Sequence, residues 1–290
     1  MSKRFSHLVQ AARAFWLCIL LLAACQPAAP GSPPYRTTLE PATASAWRPE
    51  AGQSWQYDFS SSVDITLDAE VFILDLFETS PDLIEQAHAA GKRVVCYISA
   101  GSWEDWRPDK DRFPGAVIGK DYLGWRGEKW LDIRQLDVIG PIMQDRLDLC
   151  SQKGFDGVDP DNIDIHSNDS GFDITIQDQN QYAVWLSDQA HQRGLAIGMK
   201  NAEDQVPALL PFFDFAVIED CFVFGWCEAY LPFIQAGKPV FAVEYTETGV
   251  SFERACQQAR AWGFSLILKH RRLDTFQRTC PYTSRATLLV

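Results

Sequence analysis

The sequence predicts an α/β protein in which eight parallel strands close into a single (β/α)8 TIM-type barrel. Eight short apolar runs alternate with segments that carry helix signals, an order that requires parallel pairing, and eight strands are the number that closes this barrel. A doubly wound open sheet is the alternative that the same alternation allows. The predicted strands cover residues 55–59, 71–76, 94–98, 155–159, 195–200, 215–219, 240–244 and 264–269.

The first 25 residues have the pattern of a signal peptide. Lys3, Arg4 and Arg13 precede an apolar run over residues 14–24 that is too short to span a membrane as a mature helix. The run ends in Leu22-Ala23-Ala24-Cys25, which resembles the lipobox of bacterial lipoproteins. Cys25 is therefore predicted to carry the lipid, with ordinary secretory cleavage nearby as the alternative. The predicted protein is extracytoplasmic and anchored to a membrane.

The rest of the chain is predicted to be a tether followed by one domain. Residues 26–50 are rich in Pro, Ala, Ser and Thr without an apolar period, as in a flexible tether, and residues 51–290 hold the barrel. Removing the signal peptide removes three positive charges and no negative one, so the formal charge changes from −12 to about −15. Such a surface repels nucleic acid and attracts a cationic ligand.

Six cysteines follow Cys25, and an extracytoplasmic compartment would let them form disulfides. Cys221 and Cys227 are predicted to pair and to fix the loop after the sixth strand, and Cys256 with Cys280 is a second possible pair. Cys96 and Cys150 lie in strand-like and helix-like runs and are predicted to be small core residues.

Helix boundaries are marked by capping residues. Ser80-Pro81 predicts a helix start, and a glycine directly before a strand predicts a helix end at Gly91, Gly154, Gly194, Gly237 and Gly263. The helix before Gly154 has an apolar face formed by Ile139, Ile142, Met143, Leu149 and Cys150. Its other face, predicted to meet solvent, holds Gln144, Asp145, Arg146 and Asp148.

Polar residues concentrate at the carboxyl ends of the predicted strands, which share one rim of a parallel barrel. Active sites of this architecture lie on that rim, so these side chains are predicted to converge there. The most unusual segment is 154–164, where four acids, two glycines and a proline replace a normal buried strand. The strand-end residues are Asp75, Asp159, Asp161, Lys200, Asn201, Glu219, Glu244 and Lys269.

The connection between the third and fourth strands, residues 99–134, is unusually long. It contains four of the ten tryptophans, Trp103, Trp106, Trp125 and Trp130. Long connections of this kind are usually functional or disordered, and tryptophan argues against disorder. Flat aromatic faces beside carboxylates are what a sugar chain requires, whereas packing of the loop onto the barrel is the alternative role of each ring.

Other chemistries lack their sequence patterns. No Gly-x-Gly-x-x-Gly follows a strand, so no dinucleotide cofactor is predicted, and no Gly-x-Ser-x-Gly marks a nucleophilic serine. The histidines never pair at metal-ligand spacing. A calcium loop starting at Asp159 fails because Asp164 and Ser170 occupy the positions of its glycine and glutamate. The chemistry that remains is hydrolysis of a glycosidic bond by a pair of carboxyl groups.

Residues from about 55 to 269 resemble glycoside hydrolase family 114, the endo-α-1,4-polygalactosaminidases. The resemblance rests on segments that are specific only in combination. They are Val71-Phe72-Ile73-Leu74-Asp75-Leu76-Phe77, Val95-Cys96-Tyr97-Ile98-Ser99-Ala100-Gly101-Ser102-Trp103-Glu104, Trp130-Leu131-Asp132-Ile133-Arg134, Gly154-Phe155-Asp156-Gly157-Val158-Asp159-Pro160-Asp161-Asn162, Lys200-Asn201, Glu219-Asp220-Cys221-Phe222 and Lys238-Pro239-Val240-Phe241.

The resemblance implies hydrolysis within an α-1,4-linked galactosamine polymer, a cationic polysaccharide, without a cofactor. It implies that Asp161 is the nucleophile and Glu219 the acid/base of a retaining mechanism, with their carboxyl groups about 5 to 5.5 Å apart. The family pattern has a glutamate after the acid/base residue, whereas this chain has the shorter Asp220. The resemblance therefore does not define the substrate contacts at Asp220. The predicted substrate-binding residues are Asp75, Tyr97, Trp103, Asp159, Asn162, Lys200, Asp220, Glu244 and Lys269. A non-catalytic polysaccharide-binding lipoprotein on the same barrel is the alternative function.

Overall fold

The computed structural model describes residues 47–280; the predicted signal peptide, Cys25 and residues 26–46 of the predicted tether lie outside them. The strands are β1 Trp55–Tyr57, β2 Val71–Asp75, β3 Arg93–Ser99, β4 Ser102–Glu104, β5 Ile118–Asp121, β6 Glu128–Leu131, β7 Gly157–Asp161, β8 Ala196–Lys200, β9 Phe215–Glu219, β10 Val240–Tyr245, β11 Ser265–Lys269 and β12 Arg278–Thr279. The α-helices are α1 Pro81–Ala89, α2 Leu136–Lys153, α3 Ile176–Gln192, α4 Val206–Leu209, α5 Cys221–Phe224, α6 Leu231–Gln235 and α7 Phe252–Trp262. No helix in this part of the chain is long and apolar enough to cross a membrane.

The main sheet has nine strands in the order β1-β2-β3-β7-β8-β9-β10-β11-β12. The first eight are parallel and β12 adds antiparallel to β11. They are the eight strands predicted from the apolar runs, so the prediction of the barrel is confirmed. Side chains join β1 to β11: Trp55 Nε1 donates to the Ser265 carbonyl at 2.9 Å, and Lys269 Nζ donates to Gln56 Oε1 at 2.8 Å.

Alternating side chains divide the barrel core into two layers. Along β2, Val71 and Ile73 join the cluster inside the barrel, whereas Phe72 and Leu74 pack against the helices. The last residue of a strand therefore also points into the barrel when it lies two residues after an inward-facing residue. Gly198 makes room inside the barrel, because a Cβ at this position would clash with the Phe215 ring.

The connection over residues 99–134, hereafter the insertion, folds into a second sheet. Its three antiparallel strands have the order β4-β6-β5. The sequence predicted a long ordered connection but no strands, because each strand is only three or four residues long and carries charged residues. Tyr122, Leu123, Gly124 and Trp125 follow β5 at the open end of this sheet.

Helix ends follow the predicted caps. Ser80 caps α1 by accepting the Leu83 amide, and the five predicted C-terminal glycines have φ between 73° and 96°. The prediction that Arg146 faces solvent is wrong. Arg146 bonds to Asp109 at 2.8 and 2.9 Å and to the Ser99 carbonyl at 2.6 Å, because the insertion covers this side of α2.

Three disulfides link the described residues. Cys221–Cys227 and Cys256–Cys280 confirm the predicted pairs. Cys96 and Cys150 are buried as predicted, but the prediction that they are only core residues is wrong, since they form a disulfide with Cα atoms 6.0 Å apart. Cys96 faces outward from β3 and Cys150 faces inward from α2, so packing of the helix on the sheet brings the two sulfurs together.

The end of the predicted tether contacts the barrel. Trp47 packs against Phe215, with ring centroids 6.4 Å apart, and Arg48 pairs with Asp214. Residues 47–50, which were predicted to be flexible, therefore include residues that pack on the folded domain.

Candidate active site

A cavity of about 370 Å³ opens among the carboxyl ends of the barrel strands. Strand ends supply one group of lining residues: Asp75, Tyr97, Asp161, Glu219 and Tyr245. The insertion supplies a second group: Glu104, Trp106, Arg107, Tyr122, Trp125 and Glu128. The cavity therefore lies where the fold class predicts an active site, and the insertion forms one of its walls.

Three carboxylates surround one buried lysine at the base of the cavity. Lys200 Nζ lies 3.3 Å from Asp161 Oδ1, 3.6 Å from Glu219 Oε2 and 3.6 Å from Asp159 Oδ2. Because two of these distances share Nζ, Asp161 Oδ1 and Glu219 Oε2 are at most about 7 Å apart, near enough for the two carboxyl groups to flank one glycosidic bond.

Burial and charge act in opposite directions on Lys200. Burial alone lowers the pKa of Lys200, but the carboxylates of Asp159, Asp161 and Glu219 outweigh it and raise the pKa well above its ordinary value. Lys200 is thus a permanent cation beneath the cavity. Of the three carboxylates around Lys200, Asp161 and Glu219 line the cavity and Asp159 does not.

Asp159 lies below these groups and is fully buried. Burial, more than any neighbouring charge, raises the pKa of Asp159 to about 7. Tyr57 donates to Asp159 Oδ2 at 3.1 Å and accepts from Lys200 Nζ at 2.8 Å. Asp159 and Tyr57 therefore connect the lysine to the interior of the barrel.

Hydrogen bonds orient both cavity carboxylates. The Tyr97 hydroxyl donates to Asp161 Oδ2 at 2.8 Å. The backbone N–H of Asn162 donates to Asp161 Oδ1, also at 2.8 Å. Tyr245 donates to Glu219 Oε1. The Glu219 amide donates to Asn201 Oδ1 at 3.0 Å, which fixes the end of β9.

The backbone is strained directly after β7, β8 and β9. Non-glycine residues with positive φ follow each strand: Asn162 at 61°, Asn201 at 45°, Ala202 at 61° and Asp220 at 57°. Each such conformation costs roughly 1–3 kcal/mol, and these costs concentrate at functional sites. Gly101 is required beside them, because a Cβ there would overlap the Asn162 carbonyl oxygen.

A buried polar network joins the insertion to the residue after Asp161. Asn162 Nδ2 donates to Glu128 Oε1 at 2.8 Å and to the Ser99 and Ser102 hydroxyl oxygens at 3.0 Å. Ser102 also donates to Glu128. Burial raises the pKa of Glu128 to about 7.

Five of the predicted site residues line the cavity: Asp75, Tyr97, Asp161, Asn162 and Glu219. Asp75 is engaged by Arg107 Nη1 at 2.7 Å and by the amides of Phe77 and Glu78. The side-chain amide of Asn162 points into the buried network around Glu128. Asp75 and Asn162 therefore line the cavity, but their polar groups bond to other residues of the protein.

Six predicted residues lie outside the cavity lining: Trp103, Asp159, Lys200, Asp220, Glu244 and Lys269. Asp159 and Lys200 lie beneath it. Trp103 packs on the core and donates Nε1 to the Lys110 carbonyl at 3.0 Å. The exposed tryptophans in the lining are Trp106 and Trp125.

The other three residues are held by partners elsewhere. Asp220 pairs with Arg271 at 2.5 Å. Glu244 falls on the outward set of β10 and accepts from the Phe222 amide at 2.7 Å. Lys269 points inward but donates to Gln56 and to the Asp274 carbonyl, and burial lowers its pKa to about 8. The period of two in β10 could have excluded Glu244 from the sequence alone.

Most other lining residues come from loops or from the short strands of the insertion, with Tyr245 from the end of β10. They are Glu78, Glu104, Arg107, Tyr122, Glu128, Asp164, Arg271 and Arg272. Tyr245 follows Phe241 and Val243 on the inward set, so strand period could have identified it. The loop residues carry no periodic signal. Among residues 47–280, no group of three or more His, Cys, Asp or Glu side chains could hold a metal ion.

A barrel with two carboxylates at the carboxyl ends of β7 and β9, inside a cavity rimmed by acids and tryptophans, defines a glycosidase. The sequence profile of Glycoside-hydrolase family GH114 matches residues 36–285, and the chain belongs to that family. The membership favours the hydrolase over the non-catalytic binding protein.

Solved structures show the same fold. The chain is similar to Ega3 of Aspergillus fumigatus, solved in complex with galactosamine, with 38% identity and a TM-score of 0.78 over 83% of this chain and 100% of that one. The glycoside hydrolase domain of PelA from Pseudomonas aeruginosa is 13% identical, with a TM-score of 0.63 over 78% of this chain and 98% of that one. An uncharacterized Deinococcus radiodurans protein is 27% identical over 89% of this chain and 96% of its own length.

Proposed function

We propose that this hydrolase cleaves α-1,4-linked galactosamine-containing polysaccharide with retention of anomeric configuration. The observation that carries the proposal is the pair of Asp161 and Glu219, which meet across Lys200 at the base of an acidic cavity. The galactosamine bound in the Ega3 structure supports the substrate class.

In the first step, the Asp161 carboxylate attacks C1 of the sugar and the C1–O4 bond breaks. Glu219 gives its proton to O4, so the leaving chain departs with a neutral hydroxyl group. In the second step, Glu219 takes a proton from water, the water oxygen bonds to C1, and the bond to Asp161 breaks. Two displacements restore the starting configuration and regenerate both carboxyl groups.

Lys200 has a distinct task in this cycle. Its cation lies 3.3 Å from Asp161 and stabilises the negative charge of the carboxylate when it departs in the second step. Tyr97 and Tyr245 hold the two reacting carboxyl groups in place. Lys200 and Asp159 are thus positioning residues, because neither reaches the open cavity.

The acidic lining of the cavity supports a cationic sugar as the substrate. Glu78, Glu104, Glu128 and Asp164 line it together with the two reacting carboxyl groups. Ammonium groups are attracted to such a surface, and salt screens the attraction. Hydrolysis should therefore weaken as salt rises and as the whole polymer becomes N-acetylated.

The proposal is tested with Asp161→Asn and Glu219→Gln. Asp161→Asn should bind the polymer but not hydrolyse it, because an amide is a poor nucleophile. Glu219→Gln should also be severely impaired, and added azide should restore cleavage of an activated aryl galactosaminide by attacking the glycosyl-enzyme. Glu244→Gln is the matched control, since Glu244 is a strand-end acid that faces away from the cavity.

Two results would contradict these roles. The first is near-normal hydrolysis of galactosamine oligomers by both Asp161→Asn and Glu219→Gln. The second is a first-formed product with inverted anomeric configuration, which NMR of the initial product detects.

We also propose that the protein is exported and anchored to a membrane by lipid on Cys25. Three disulfides support an oxidising compartment. Two or more acyl chains hold a protein firmly on a bilayer, whereas one holds it marginally. Cys25→Ala should move the protein from the membrane fraction to the soluble fraction, and a variant that stays in the membrane pellet would contradict the anchor.

A further inference from the structure

Glu219, the residue that we assign as acid/base, is held from two directions. The Tyr245 hydroxyl donates to Glu219 Oε1. Burial, and after it the charge of Glu219, raises the pKa of Tyr245 well above its ordinary value, so the hydroxyl keeps its proton. The next residue, Asp220, has a φ of 57°, in the left-handed region that side chains rarely adopt. The direction of the Glu219 carboxyl group therefore depends on the Tyr245 ring and on the turn at Asp220.

One guanidinium contacts both of these supports. The guanidinium carbon of Arg271 lies over the Tyr245 ring, 4.2 Å from its centroid. Arg271 Nη2 donates to Asp220 Oδ2 at 2.5 Å. Because an arginine side chain is always charged and its donors form a rigid planar fork, these two contacts restrict each other. Arg271 thus connects the ring that donates to Glu219 with the turn that follows Glu219.

The backbone of Arg271 is held by a carboxylate outside the cavity. The Arg271 N–H donates to Glu247 Oε1 at 3.0 Å and to Oε2 at 3.2 Å. Glu247 is exposed and does not line the cavity. Asp220, Glu247 and Arg271 belong to the loops after β9, β10 and β11, which are neighbours in the sheet. Arg271 therefore joins three successive loops beside the strand that carries Glu219.

Proton transfer should be sensitive to this support. A general acid must lie within hydrogen-bond reach of the leaving oxygen, so a small change in the direction of Glu219 reduces its effect. Attack by Asp161 should be less sensitive, since Tyr97 and the Asn162 backbone orient that carboxylate. A change at Arg271 is thus expected to affect protonation of the leaving group more than nucleophilic attack.

We propose that Arg271 is a positioning residue for proton transfer by Glu219, acting through Tyr245 and Asp220, and that Glu247 places Arg271 for this task from outside the cavity. This inference rests on the proposed function. It adds two loop residues to the machinery of the acid/base, one of which has no contact with the cavity.

Leaving groups of different basicity separate proton transfer from the rest of the reaction. The test uses phenyl and dinitrophenyl glycosides of an α-1,4-galactosamine oligosaccharide. Dinitrophenolate departs without a proton, whereas a phenol departs readily only when the general acid protonates its oxygen. The ratio kcat/KM includes the steps up to cleavage of the aryl bond, so slow hydrolysis of the glycosyl-enzyme does not affect the comparison.

Arg271→Met keeps an apolar side chain over the Tyr245 ring but removes the charge and the donors. It also leaves the Asp220 side chain, only 10% exposed, without its counter-charge beside Glu219. Arg271→Met should lower kcat/KM for the phenyl glycoside about 30-fold and for the dinitrophenyl glycoside no more than about threefold. Arg271→Lys keeps a cation over the ring and a donor for Asp220, so it should recover most of the loss.

Arg278→Met is the matched control. Arg278 also lies over an aromatic ring, 4.9 Å from the centroid of Phe252, and also pairs with a carboxylate, Glu253 at 2.7 Å. It does not line the cavity. Arg278→Met should therefore cleave both aryl glycosides like the unchanged protein.

Glu247→Ala tests the outer contact without a change in the cavity. It should lower kcat/KM for the phenyl glycoside about three- to tenfold, less than Arg271→Met, because Arg271 keeps its side-chain partners. Glu247→Gln retains an oxygen acceptor for the Arg271 N–H and should behave like the unchanged protein. Since Glu247 is exposed, Glu247→Ala gives the same comparison if Arg271→Met fails to fold.

The outcomes separate this inference from the proposed function. Equal losses of kcat/KM on both aryl glycosides would assign Arg271 a merely structural role, and a higher KM with unchanged kcat on both would assign it to substrate binding. Either result overturns the inference and leaves the proposed function standing, as does normal cleavage of the phenyl glycoside by Arg271→Met. If the unchanged protein cleaves no galactosaminide, both are overturned.

Discussion

The base of the cavity and its insertion wall are built by different means. At the base, Asp161, Lys200 and Glu219 are the last residues of adjacent parallel strands, and the barrel sets their relative positions. In the wall, Glu128 and Trp106 belong to the insertion, a small sheet with its own ladder. The network around Asn162 is where the two regions meet. The base holds the two carboxyl groups that we propose to react, and the wall holds Glu128, which bonds to Asn162, and aromatic side chains that line the cavity.

The largest effect should come from the cation at the base. Lys200→Met leaves three carboxylates around an apolar side chain, so kcat should fall by at least about a thousandfold because the ionised nucleophile loses its counter-charge. Removing one partner of a buried ionic group should also cost roughly 3–5 kcal/mol of unfolding free energy. Steady-state kinetics and denaturant unfolding measure the two effects.

Lys269→Met is the control for that change. Lys269 is also fully buried at a strand end and inward-facing, but it lies outside the cavity, and burial lowers its pKa to about 8. It should lose stability and keep its kcat within about threefold. Equal losses of kcat in both lysine variants would remove the distinction between the active base and the rest of the barrel interior.

The base was predictable from sequence because strand-end positions follow from period and order. Asp161 falls on the same face as Phe155, Gly157 and Asp159, Glu219 ends the sixth predicted strand, and parallel pairing brings the strand ends together. The same rule identifies Tyr245 as inward and Glu244 as outward. Wall residues such as Glu128 and Arg107 have no such rule, since burial in an irregular connection depends on contacts with distant residues. The buried Arg146 was missed for the same reason.

The connection between wall and base should give the next largest effect. Glu128→Ala removes the acceptor of Asn162 and Ser102, so the strained turn after Asp161 loses a support. A shift of the nucleophile by a fraction of an ångström should lower kcat by about 10- to 100-fold. Glu128→Gln keeps an oxygen acceptor and should recover most of that loss. If the alanine variant retains full kcat, the network has no role in positioning Asp161.

The wall itself should affect binding more than turnover. Trp106 is 49% exposed at the cavity, and an ammonium sugar over its face would gain about 0.5–2 kcal/mol. Trp106→Ala should therefore raise KM severalfold while kcat changes little. Trp103→Phe should lower thermal stability through its lost hydrogen bond to Lys110 and leave KM unchanged. A higher KM in Trp103→Phe alone would reverse the assignment of the two rings.

The smallest effect separates a buried acid outside the cavity from those within it. Burial raises the pKa of Glu244 to about 7, above its value in an unfolded chain, so folding loses free energy as pH rises from about 4.5 to 7. Its contribution to stability is complete below the unfolded pKa and is lost above the folded one.

Glu244→Gln cannot ionise, so the decrease in Tm between pH 5 and pH 8 should be smaller than in the unchanged protein by a few degrees. Asp159 and Glu128 also have a pKa raised to about 7, so part of the decrease should persist in the variant. Thermal unfolding at both pH values measures this difference, and an identical decrease in both proteins would show that folding does not raise the pKa of Glu244.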